Sequence, residues 1–322
     1  MQHVTVTTGA RLHFGLLSVN PQRKRIFGGL GMMIDEPGLQ ICVERADADL
    51  FVAESLETRT RLQNFCAACR ADGIGQLPVT IRVHDTIPGH AGFGSGTQLG
   101  LAVASALNTL SASDRSLDEL ACAVGRGQRS AIGIHGFRAG GFLVDGGRVR
   151  TSSDIGRLAA RVEWPHAWRI VLIAPRAGIG LHGAAERSAF RAMSAMPESL
   201  TQYLCMTTLM EILPALQSMS FRDFCDSLDD FGNAVGDFFA SSQGGRFADP
   251  SIATLVNDLR AQEFSGLVQS SWGPTLCAVA RNQAHAESIA RFIAHHDLDF
   301  STRIVRGLNS GAQIRVHDEA TV

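Results

Sequence analysis

The sequence predicts an α+β fold built from two domains. Its 322 residues exceed the length of one ordinary domain and suit about two. Predicted strands and helices are mixed without the regular alternation that builds a doubly wound parallel sheet. The segment Trp164-Pro-His-Ala-Trp168 then interrupts the pattern, and a new buried strand begins at Arg169. We therefore expect one domain over residues 1–165 and a second over residues 166–322.

The first domain is predicted to contain a sheet and a long helix. Strict alternation of apolar and polar residues over Val79–His84 indicates a half-buried strand. Thr5–Thr8 and Leu39–Glu44 are expected to be strands of the same sheet. Apolar residues spaced by three and four between Leu99 and Leu110 predict one face of a helix. Residues 142–149 are expected to form a hairpin, because their Asp-Gly pair favours a tight turn.

The second domain is predicted to mix strands and helices as well. Its first and last segments are both expected to be strands. In chain order, the predicted segments are a strand at Arg169–Pro175, helices near 198–217 and 250–262, a strand at Thr275–Ala280, a helix around Ala284–His295 and a strand at Thr302–Arg306.

The charge balance argues against a nucleic-acid partner. The formal net charge is −2, whereas proteins that bind nucleic acid need a broad cationic face. Lys24 is the one lysine among the 29 basic residues. Any anion site that uses a cationic side chain is therefore expected to use arginine, which binds phosphate and carboxylate bidentately.

The sequence predicts a soluble, cytoplasmic protein with no membrane partner. The N-terminus lacks the basic and then apolar run of a signal peptide, and no apolar run reaches the roughly 18 residues that span a bilayer. The seven cysteines are an odd, scattered set, which fits reduced thiols. Cys66 and Cys69 form an isolated CxxC pair, which we expect to be two thiols packed in a helix; a metal or redox site is the alternative.

A glycine-rich loop joins the strand predicted at 79–84 to the helix that follows. Its sequence is Pro88-Gly-His-Ala-Gly-Phe-Gly-Ser-Gly-Thr97. A strand, a bare loop and a helix together present backbone N–H groups and a positive helix end to an anion. The loop matches neither the Walker motif nor the dinucleotide fingerprint, so a tight turn before a helix is the alternative. Ser95 or Thr97 is expected either to cap the helix or to face a phosphate or its metal.

This loop resembles the Pro-x-x-x-Gly-Leu-Gly-Ser-Ser-Ala motif with which members of the GHMP kinase superfamily cradle the phosphates of a nucleotide. Ala10–Leu16 and Gln269–Thr275 lie where those proteins have their N-terminal motif and a C-terminal glycine-rich loop that packs against the first. The resemblance implies a GHMP kinase-like fold in two domains. The N-terminal domain would be like the second domain of a ribosomal small-subunit protein, and the C-terminal domain would be ferredoxin-like.

Two further segments, Arg129–Phe137 and Gly140–Gly147, sharpen the resemblance to the β-ribofuranosylaminobenzene 5′-phosphate synthases of the same superfamily. That family implies the transfer of a phosphoribosyl group from 5-phosphoribosyl 1-pyrophosphate to 4-aminobenzoate or 4-hydroxybenzoate. Carbon dioxide and pyrophosphate are released, in the biosynthesis of tetrahydromethanopterin. The resemblance also implies Mg²⁺ as a cofactor and a homodimer.

Two departures from the kinases of the superfamily favour this synthase chemistry. Gly96 replaces a serine that the kinases often turn toward magnesium, and Ser130–Gly136 contains no carboxylate where many of them have a catalytic aspartate. Phosphoryl transfer would lose two of its usual supports, whereas a cradle for pyrophosphate would remain. An ATP-dependent small-molecule kinase and a non-catalytic phosphoribosyl or nucleotide sensor are the alternatives.

The resemblance and the chemistry together imply a set of candidate site residues. For most of the side chains a structural role is the alternative: a histidine satisfied by its neighbours, a core tryptophan, or a solvated side chain in the first turn of a helix. The candidates are catalytic Arg11, His13, His90 and His135; phosphate-binding Gly92, Gly94, Ser95, Gly96, Thr97, Gln98 and Arg129; substrate-binding His182, Ser270, Ser271 and Trp272; and Glu186 as a magnesium ligand.

Overall fold

Two β-sheets, each with helices packed against it, make up the part of the chain that can be described. The computed structural model describes residues 2–176, 188, 190, 193–295 and 300–318. The strands are β1 (Gln2–Ser18), β2 (Arg25–Arg45), β3 (Leu50–Val52), β4 (Val79–Asp85), β5 (Phe142–Asp145), β6 (Arg148–Val149), β7 (Leu158–Val162), β8 (Arg169–Pro175), β9 (Leu267–Gln269), β10 (Leu276–Ala280), β11 (Phe300–Val305) and β12 (Gln313–Asp318).

The first sheet is built around the long antiparallel pair β1 and β2. Its strand order is β12-β1-β2-β4-β3, with β5 and β6 also paired to β2, and β7 paired to β5. The three strands predicted for the first domain are therefore confirmed in one sheet. The helices of this part are α1 (Leu56–Ala71), α2 (Ser95–Leu110), α3 (Leu117–Ala123) and α4 (Ile132–Ala139). The first of them buries both Cys66 and Cys69, and burial raises the pKa of the Cys69 thiol to about 12. These two thiols are packed in a helix, as expected.

The predicted hairpin over 142–149 is wrong. Strands β5 and β6 do not pair with each other; both run antiparallel to β2, with Asp145 opposite Gly29 and Arg148 opposite Ile26. The Asp145 carboxylate accepts the N–H of Gly147 at 2.8 Å, so the Asp-Gly pair forms a kink in a chain that continues along its neighbour. Tertiary pairing with a long strand overrides the local turn preference.

The second sheet has the ferredoxin-like topology that the resemblance implies. Its order is β11-β8-β10-β9, and all its pairs are antiparallel, so the strands taken in chain order lie as 4-1-3-2. The helical segments of this part are α5 (Glu198–Met206), a π-helical turn (Thr207–Ile212), α6 (Leu213–Gln217), α7 (Phe221–Gln243), α8 (Pro250–Ala261) and α9 (Gln283–His295). No helix in the described ranges is both long and apolar enough to cross a membrane.

Several elements were not predicted from the sequence, among them α7 and β12. Helix α7 buries four apolar residues, spaced by three and four, in the hydrophobic core beside the first sheet: Phe224, Leu228, Phe231 and Val235. Strand β12 follows β11 and returns to the first sheet, where it pairs with β1, so the strand predicted at the end of the chain is not the last one. The boundary near residue 165 stays a prediction.

An aromatic cluster joins the two sheets. The Trp164 ring meets the Trp168 ring edge-on at 5.4 Å and the Phe224 ring at 5.5 Å, and Phe142 lies 5.9 Å from Phe224. The cluster combines β5, the segment that interrupts the sequence pattern, and α7. Because such rings bury large areas at fixed angles, the cluster holds the two sheets in one arrangement.

Candidate active site between the two sheets

The glycine-rich loop lies between β4 and α2 and is bare because other atoms come very close to it. A Cβ atom on Gly92 would lie 2.6 Å from the carbonyl oxygen of Ser270, and one on Gly94 would lie 3.1 Å from Nε of Arg11. Both glycines also have positive φ, at 85° and 69°. Neither position accepts a side chain without strain, which explains two of the glycines predicted to bind phosphate.

Helix α2 begins at Ser95 with two unused donors. Among the described residues, no side chain caps it, and Gly94 is its N-cap. The carbonyl of Gly94 accepts the N–H groups of Thr97 and Gln98, whereas the N–H groups of Ser95 and Gly96 have no acceptor in the described part of the protein. Of the two roles considered for Ser95 and Thr97, helix capping is therefore not observed. The helix presents its positive end to the loop.

The loop of residues 270–275 packs directly on the glycine-rich loop, as the resemblance implies. The Ser270 hydroxyl donates to the Gly92 carbonyl at 2.8 Å and accepts the N–H of His13 at 3.1 Å. The N–H of Ser271 donates to the His13 carbonyl at 2.7 Å. Ser270 is fully buried, so it holds the two loops and β1 together and does not itself face a substrate.

A cavity of about 270 Å³ lies beside these loops, between the two sheets. Its described wall carries the positive charges of four arginines and no aspartate or glutamate, so it favours an anion. Six of the candidate residues line it: Arg11, His13, Thr97, Arg129, Ser271 and Trp272. Three further lining residues, not foreseen in the sequence, are Arg126, Phe239 and Arg246.

One end of the cavity is rich in arginine. Arg11 donates to the Ser271 hydroxyl at 2.9 Å and to the Gly92 carbonyl at 3.4 Å. Arg126 reaches the start of α2 from the loop after α3, and Arg61 reaches it from α1. Arg61 does not line the cavity and, like Arg126, was missed because no local motif contains it. We call this region, formed by Arg11, Arg61 and Arg126 around Ser95 and Gly96, the arginine end; Arg11 and Arg126 line the cavity, and the other three residues lie directly behind them.

The other end is apolar and aromatic. Trp272 and Phe239 meet at 5.1 Å with their rings nearly perpendicular, and Val235 and Val268 continue the wall. Arg246 lies at this side, where Asp237 holds its guanidinium group by two contacts of 2.7 and 2.9 Å. We call the surface of Trp272, Phe239, Val235 and Val268 the aromatic end.

Comparison with known proteins identifies the family. The family model described as GHMP kinases N terminal domain matches residues 61–141, and that described as GHMP kinases C terminal matches residues 212–297. The β-ribofuranosylphenol 5′-phosphate synthase of Methanocaldococcus jannaschii is 30% identical, over 85% of this chain and 88% of that protein. The chain belongs to this synthase family. The synthase of the same name from Archaeoglobus fulgidus is 27% identical, over 96% and 98% of the two chains. The protein is thus an enzyme of the pentosyltransferase type, within the GHMP kinase superfamily.

Solved structures confirm the predicted fold. Mevalonate diphosphate decarboxylase from Enterococcus faecalis superposes with a TM-score of 0.69 over 99% of this chain and all of that one, at 13% identity. Homoserine kinase from Cytophaga hutchinsonii superposes with a TM-score of 0.62 over 97% of each chain, at 14% identity. At such low identity the likeness shows the architecture alone.

Within this family fold, His13 is a neutral histidine. Its side chain is buried in the cavity wall, and burial, followed by the nearby charge of Arg11, lowers its pKa to about 3. Nε2 has no partner among the described residues and lies against Gly29. His13 therefore keeps an uncharged imidazole at neutral pH and does not exchange a proton there.

Two other candidate histidines lie away from the cavity wall. His90 stands at the outer rim of the loop, where Nε2 is 3.1 Å from a Glu57 carboxylate oxygen and the side chain is 36% exposed. His135 is buried on α4, and its Nε2 is 2.8 Å from the Gly156 carbonyl oxygen. His90 thus has an exposed contact with Glu57 and His135 a buried contact with the backbone, and neither side chain lines the cavity.

Gln98 also points away from the proposed phosphate site. Its side-chain carbonyl accepts the Thr8 hydroxyl at 2.9 Å, and its amide donates to the Gly133 carbonyl at 2.9 Å. Fully buried, it ties α2 to β1 and α4. The correction has a geometric cause: successive residues of a helix turn by about 100°, so Gln98 faces the core although it follows Thr97 directly.

The predicted magnesium site cannot be assembled from the described residues. His182 and Glu186 lie outside them, and no group of three or more His, Cys, Asp or Glu side chains that could hold a metal occurs within them. The described cavity wall offers guanidinium groups, which repel a cation. The described residues alone therefore do not fit Mg²⁺, and we assign the ion no step.

Proposed function

We propose that the protein transfers the phosphoribosyl group of 5-phosphoribosyl 1-pyrophosphate to a para-substituted benzoate, with loss of carbon dioxide and pyrophosphate. The observation that carries the proposal is the division of one cavity into an arginine end and an aromatic end. A polyphosphate and a benzoate ring are the two kinds of chemical group that such ends bind. The names of the relatives, which are synthases of a ribofuranosylphenol phosphate, support the same reaction.

The reaction replaces one bond at the anomeric carbon of the sugar and one bond at a ring carbon of the benzoate. The bond between the anomeric carbon and pyrophosphate breaks, and pyrophosphate leaves with the electron pair. The ring carbon that bears the carboxylate bonds to the anomeric carbon, and carbon dioxide then leaves while its bonding electrons restore the aromatic ring. No proton is gained or lost at that carbon, so a wall of arginines and a neutral His13 suffices there.

The arginine end would stabilise the departing pyrophosphate. The N–H groups of Ser95 and Gly96 and the guanidinium groups of Arg11 and Arg126 are fixed donors around one bend of the chain. Donors held in place before the charge develops stabilise a leaving anion without reorganisation. They would therefore lower the barrier for breaking the glycosidic bond.

The aromatic end would hold the benzoate. Trp272 and Phe239 provide apolar faces for the ring, and Val235 and Val268 exclude water around its carboxylate. A carboxylate with little hydration loses carbon dioxide more readily. The ring carbon would also be kept in line with the anomeric carbon, which removes part of the entropic cost of the reaction.

The phenol in the relatives' names favours 4-hydroxybenzoate over 4-aminobenzoate as the acceptor. We include the pathway to tetrahydromethanopterin in the proposal on the same basis. A cytoplasmic location, a homodimer and a requirement for Mg²⁺ stay predictions.

A decarboxylation assay tests the proposal. The full-length protein is incubated with 5-phosphoribosyl 1-pyrophosphate and either 4-hydroxybenzoate or 4-aminobenzoate, each labelled at its carboxyl carbon. We expect labelled carbon dioxide and pyrophosphate in equal amounts, with faster release from 4-hydroxybenzoate. Consumption of ATP with a sugar or a mevalonate-like alcohol, and no release of carbon dioxide, would establish a kinase instead. Tight binding of the donor without any turnover would indicate a sensor.

A further inference from the structure

Gly96 has no side chain at a point where two arginines converge. A Cβ atom on this residue would lie 3.2 Å from Nη2 of Arg126 and 3.2 Å from Nη2 of Arg61. Its φ is not positive, and it lies in the first turn of α2, where alanine would be the better helix former. The glycine is therefore not explained by backbone conformation. It is explained by the approach of the two guanidinium groups.

The two arginines form a positive pair with little internal compensation. Burial lowers the pKa of both guanidinium groups, and the charge of Arg61 lowers that of Arg126 further. Arg61 has a long contact of 3.8 Å with Glu57, and Nε of Arg126 is buried without a partner among the described residues. Since arginine stays protonated, this arrangement is costly until an anion joins it.

Both side chains are held where an anion at the helix end would meet them. Arg126 stacks over the Phe65 ring at 5.1 Å, which fixes the plane of its guanidinium group. Arg61 reaches the Ser95 hydroxyl at 3.4 Å, beside the two unused N–H donors. An anion in contact with these N–H groups would therefore also touch both arginines. A diphosphate, with its higher charge, gains more from this set than a monophosphate does.

We propose that Arg61 and Arg126 together grip the leaving diphosphate of the sugar donor, and that residue 96 is glycine so that both can reach it. The proposal rests on the proposed function and assigns one part of the donor to one part of the site. The 5′-phosphate of the donor is placed elsewhere.

A pair of glycine variants gives the most selective test. Calorimetry measures the affinity of the full-length protein for inorganic pyrophosphate and, separately, for ribose 5-phosphate. We expect Gly96→Ala to weaken pyrophosphate binding at least about fivefold, because the methyl group displaces both guanidinium groups by a few tenths of an ångström. Gly38→Ala on β2 is the matched control: its Cβ would come no closer than 3.5 Å to the neighbouring elements, and pyrophosphate affinity should stay within twofold of the wild type.

Arginine variants test the same pair directly. Arg61→Gln and Arg126→Gln should each weaken pyrophosphate binding by roughly 10- to 100-fold and ribose 5-phosphate binding by less than threefold. Arg115→Gln, an exposed arginine paired with Glu119, is the control and should change neither. The thermal unfolding midpoint is measured for each variant, and Gly96→Ala should unfold no lower than the wild type.

The outcomes separate this inference from the proposed function. If Arg126→Gln and Gly96→Ala bind pyrophosphate as tightly as the wild type, the inference is overturned, even if the wild type releases carbon dioxide. If both variants weaken ribose 5-phosphate and not pyrophosphate, the pair holds the 5′-phosphate and the inference is again wrong. If pyrophosphate binding depends on both residues but no benzoate is decarboxylated, the diphosphate site is confirmed and the proposed reaction fails.

Discussion

The arginine end and the aromatic end of the cavity differ in origin as well as in chemistry. The arginine end is built by the first sheet and its helices, which supply Arg11, Arg61 and Arg126 around the start of α2. The aromatic end is built by α7 and the loop that carries Trp272, both from the second half of the chain. In the proposed reaction, one half would provide charge for the donor, and the other would provide apolar surface for the acceptor. Variants at the two ends should therefore affect the two substrates separately.

The largest effect is expected from Arg11→Gln. Arg11 lines the cavity and joins the glycine-rich loop to Ser271, so its loss removes a positive charge and loosens the contact between the loops. We expect kcat/KM for the sugar donor to fall by roughly 100-fold or more, with a smaller change for the benzoate. Steady-state kinetics in both substrates measure this. Arg11→Lys keeps the charge and loses the planar guanidinium group. Its kcat/KM for the sugar donor should lie between those of the wild type and Arg11→Gln. An equal loss for both substrates would remove the distinction between the ends.

Trp272→Ala should affect the benzoate more than the sugar donor, which is the reverse of the result expected for Arg11→Gln. Loss of the indole face is expected to raise the KM for 4-hydroxybenzoate by about 10- to 100-fold, the usual range for one lost aromatic stacking partner. The affinity for inorganic pyrophosphate should stay within twofold of the wild type. Trp272→Phe keeps an aromatic face and should recover most of the benzoate affinity. A drop in pyrophosphate affinity in Trp272→Ala would show that the two ends are not independent.

Gln98 is buried, so its loss should affect stability and leave pyrophosphate binding unchanged. Gln98→Ala leaves the Thr8 hydroxyl and the Gly133 carbonyl without their partner, so the free energy of unfolding should fall by roughly 3 kcal/mol. Chemical denaturation measures this loss, and Gln202→Ala on an exposed helix surface serves as the control. Pyrophosphate affinity, extrapolated to fully folded protein, should be unchanged. A loss of pyrophosphate affinity in the folded variant would instead show that Gln98 contributes to anion binding at the arginine end.

His13 provides a smaller effect that depends on pH. Its pKa is about 3 in the folded protein and near 6.5 when unfolded, so between these values the unfolded chain binds the extra proton. Stability from this residue is present above pH 6.5 and is lost as the pH falls. From pH 7 to pH 5 the loss should be about 2 kcal/mol. Urea unfolding of the wild type and His13→Gln at both values measures it: the variant should lose about that much less. Equal losses would show that His13 is not held neutral.

The sequence predicts the parts of the fold and site that are marked by local pattern. The loop at 88–97, the loop at 270–275 and the strands that carry them are contiguous in the chain, so composition and spacing mark them. Arg61 and Arg126 are missed because each lies about 30 residues from the loop and reaches it only through helix packing. Strand β12 is missed although its apolar Ile314 and Val316 alternate with polar residues, because two apolar residues in a run of six are a weak signal.

A residue that lies in a site motif of the sequence need not lie at the site in the structure. His135 lies inside a motif that the resemblance picks out, but it is buried on α4, near enough to Asp145 to interact with its carboxylate. That carboxylate accepts the N–H of Ala131 at 2.7 Å and so fixes the end of the loop that presents Arg129 to the cavity. Motif residues near a site therefore divide into those that face it and those that hold it in place.

The most direct measurement is a crystal structure of the protein soaked with pyrophosphate and 4-hydroxybenzoate. We expect pyrophosphate oxygens within hydrogen-bonding distance of the N–H groups of Ser95 and Gly96 and of the Arg126 guanidinium group, with the benzoate ring against Trp272. Pyrophosphate bound elsewhere while this bend stays empty, or the benzoate carboxylate occupying the bend in its place, would contradict this expectation.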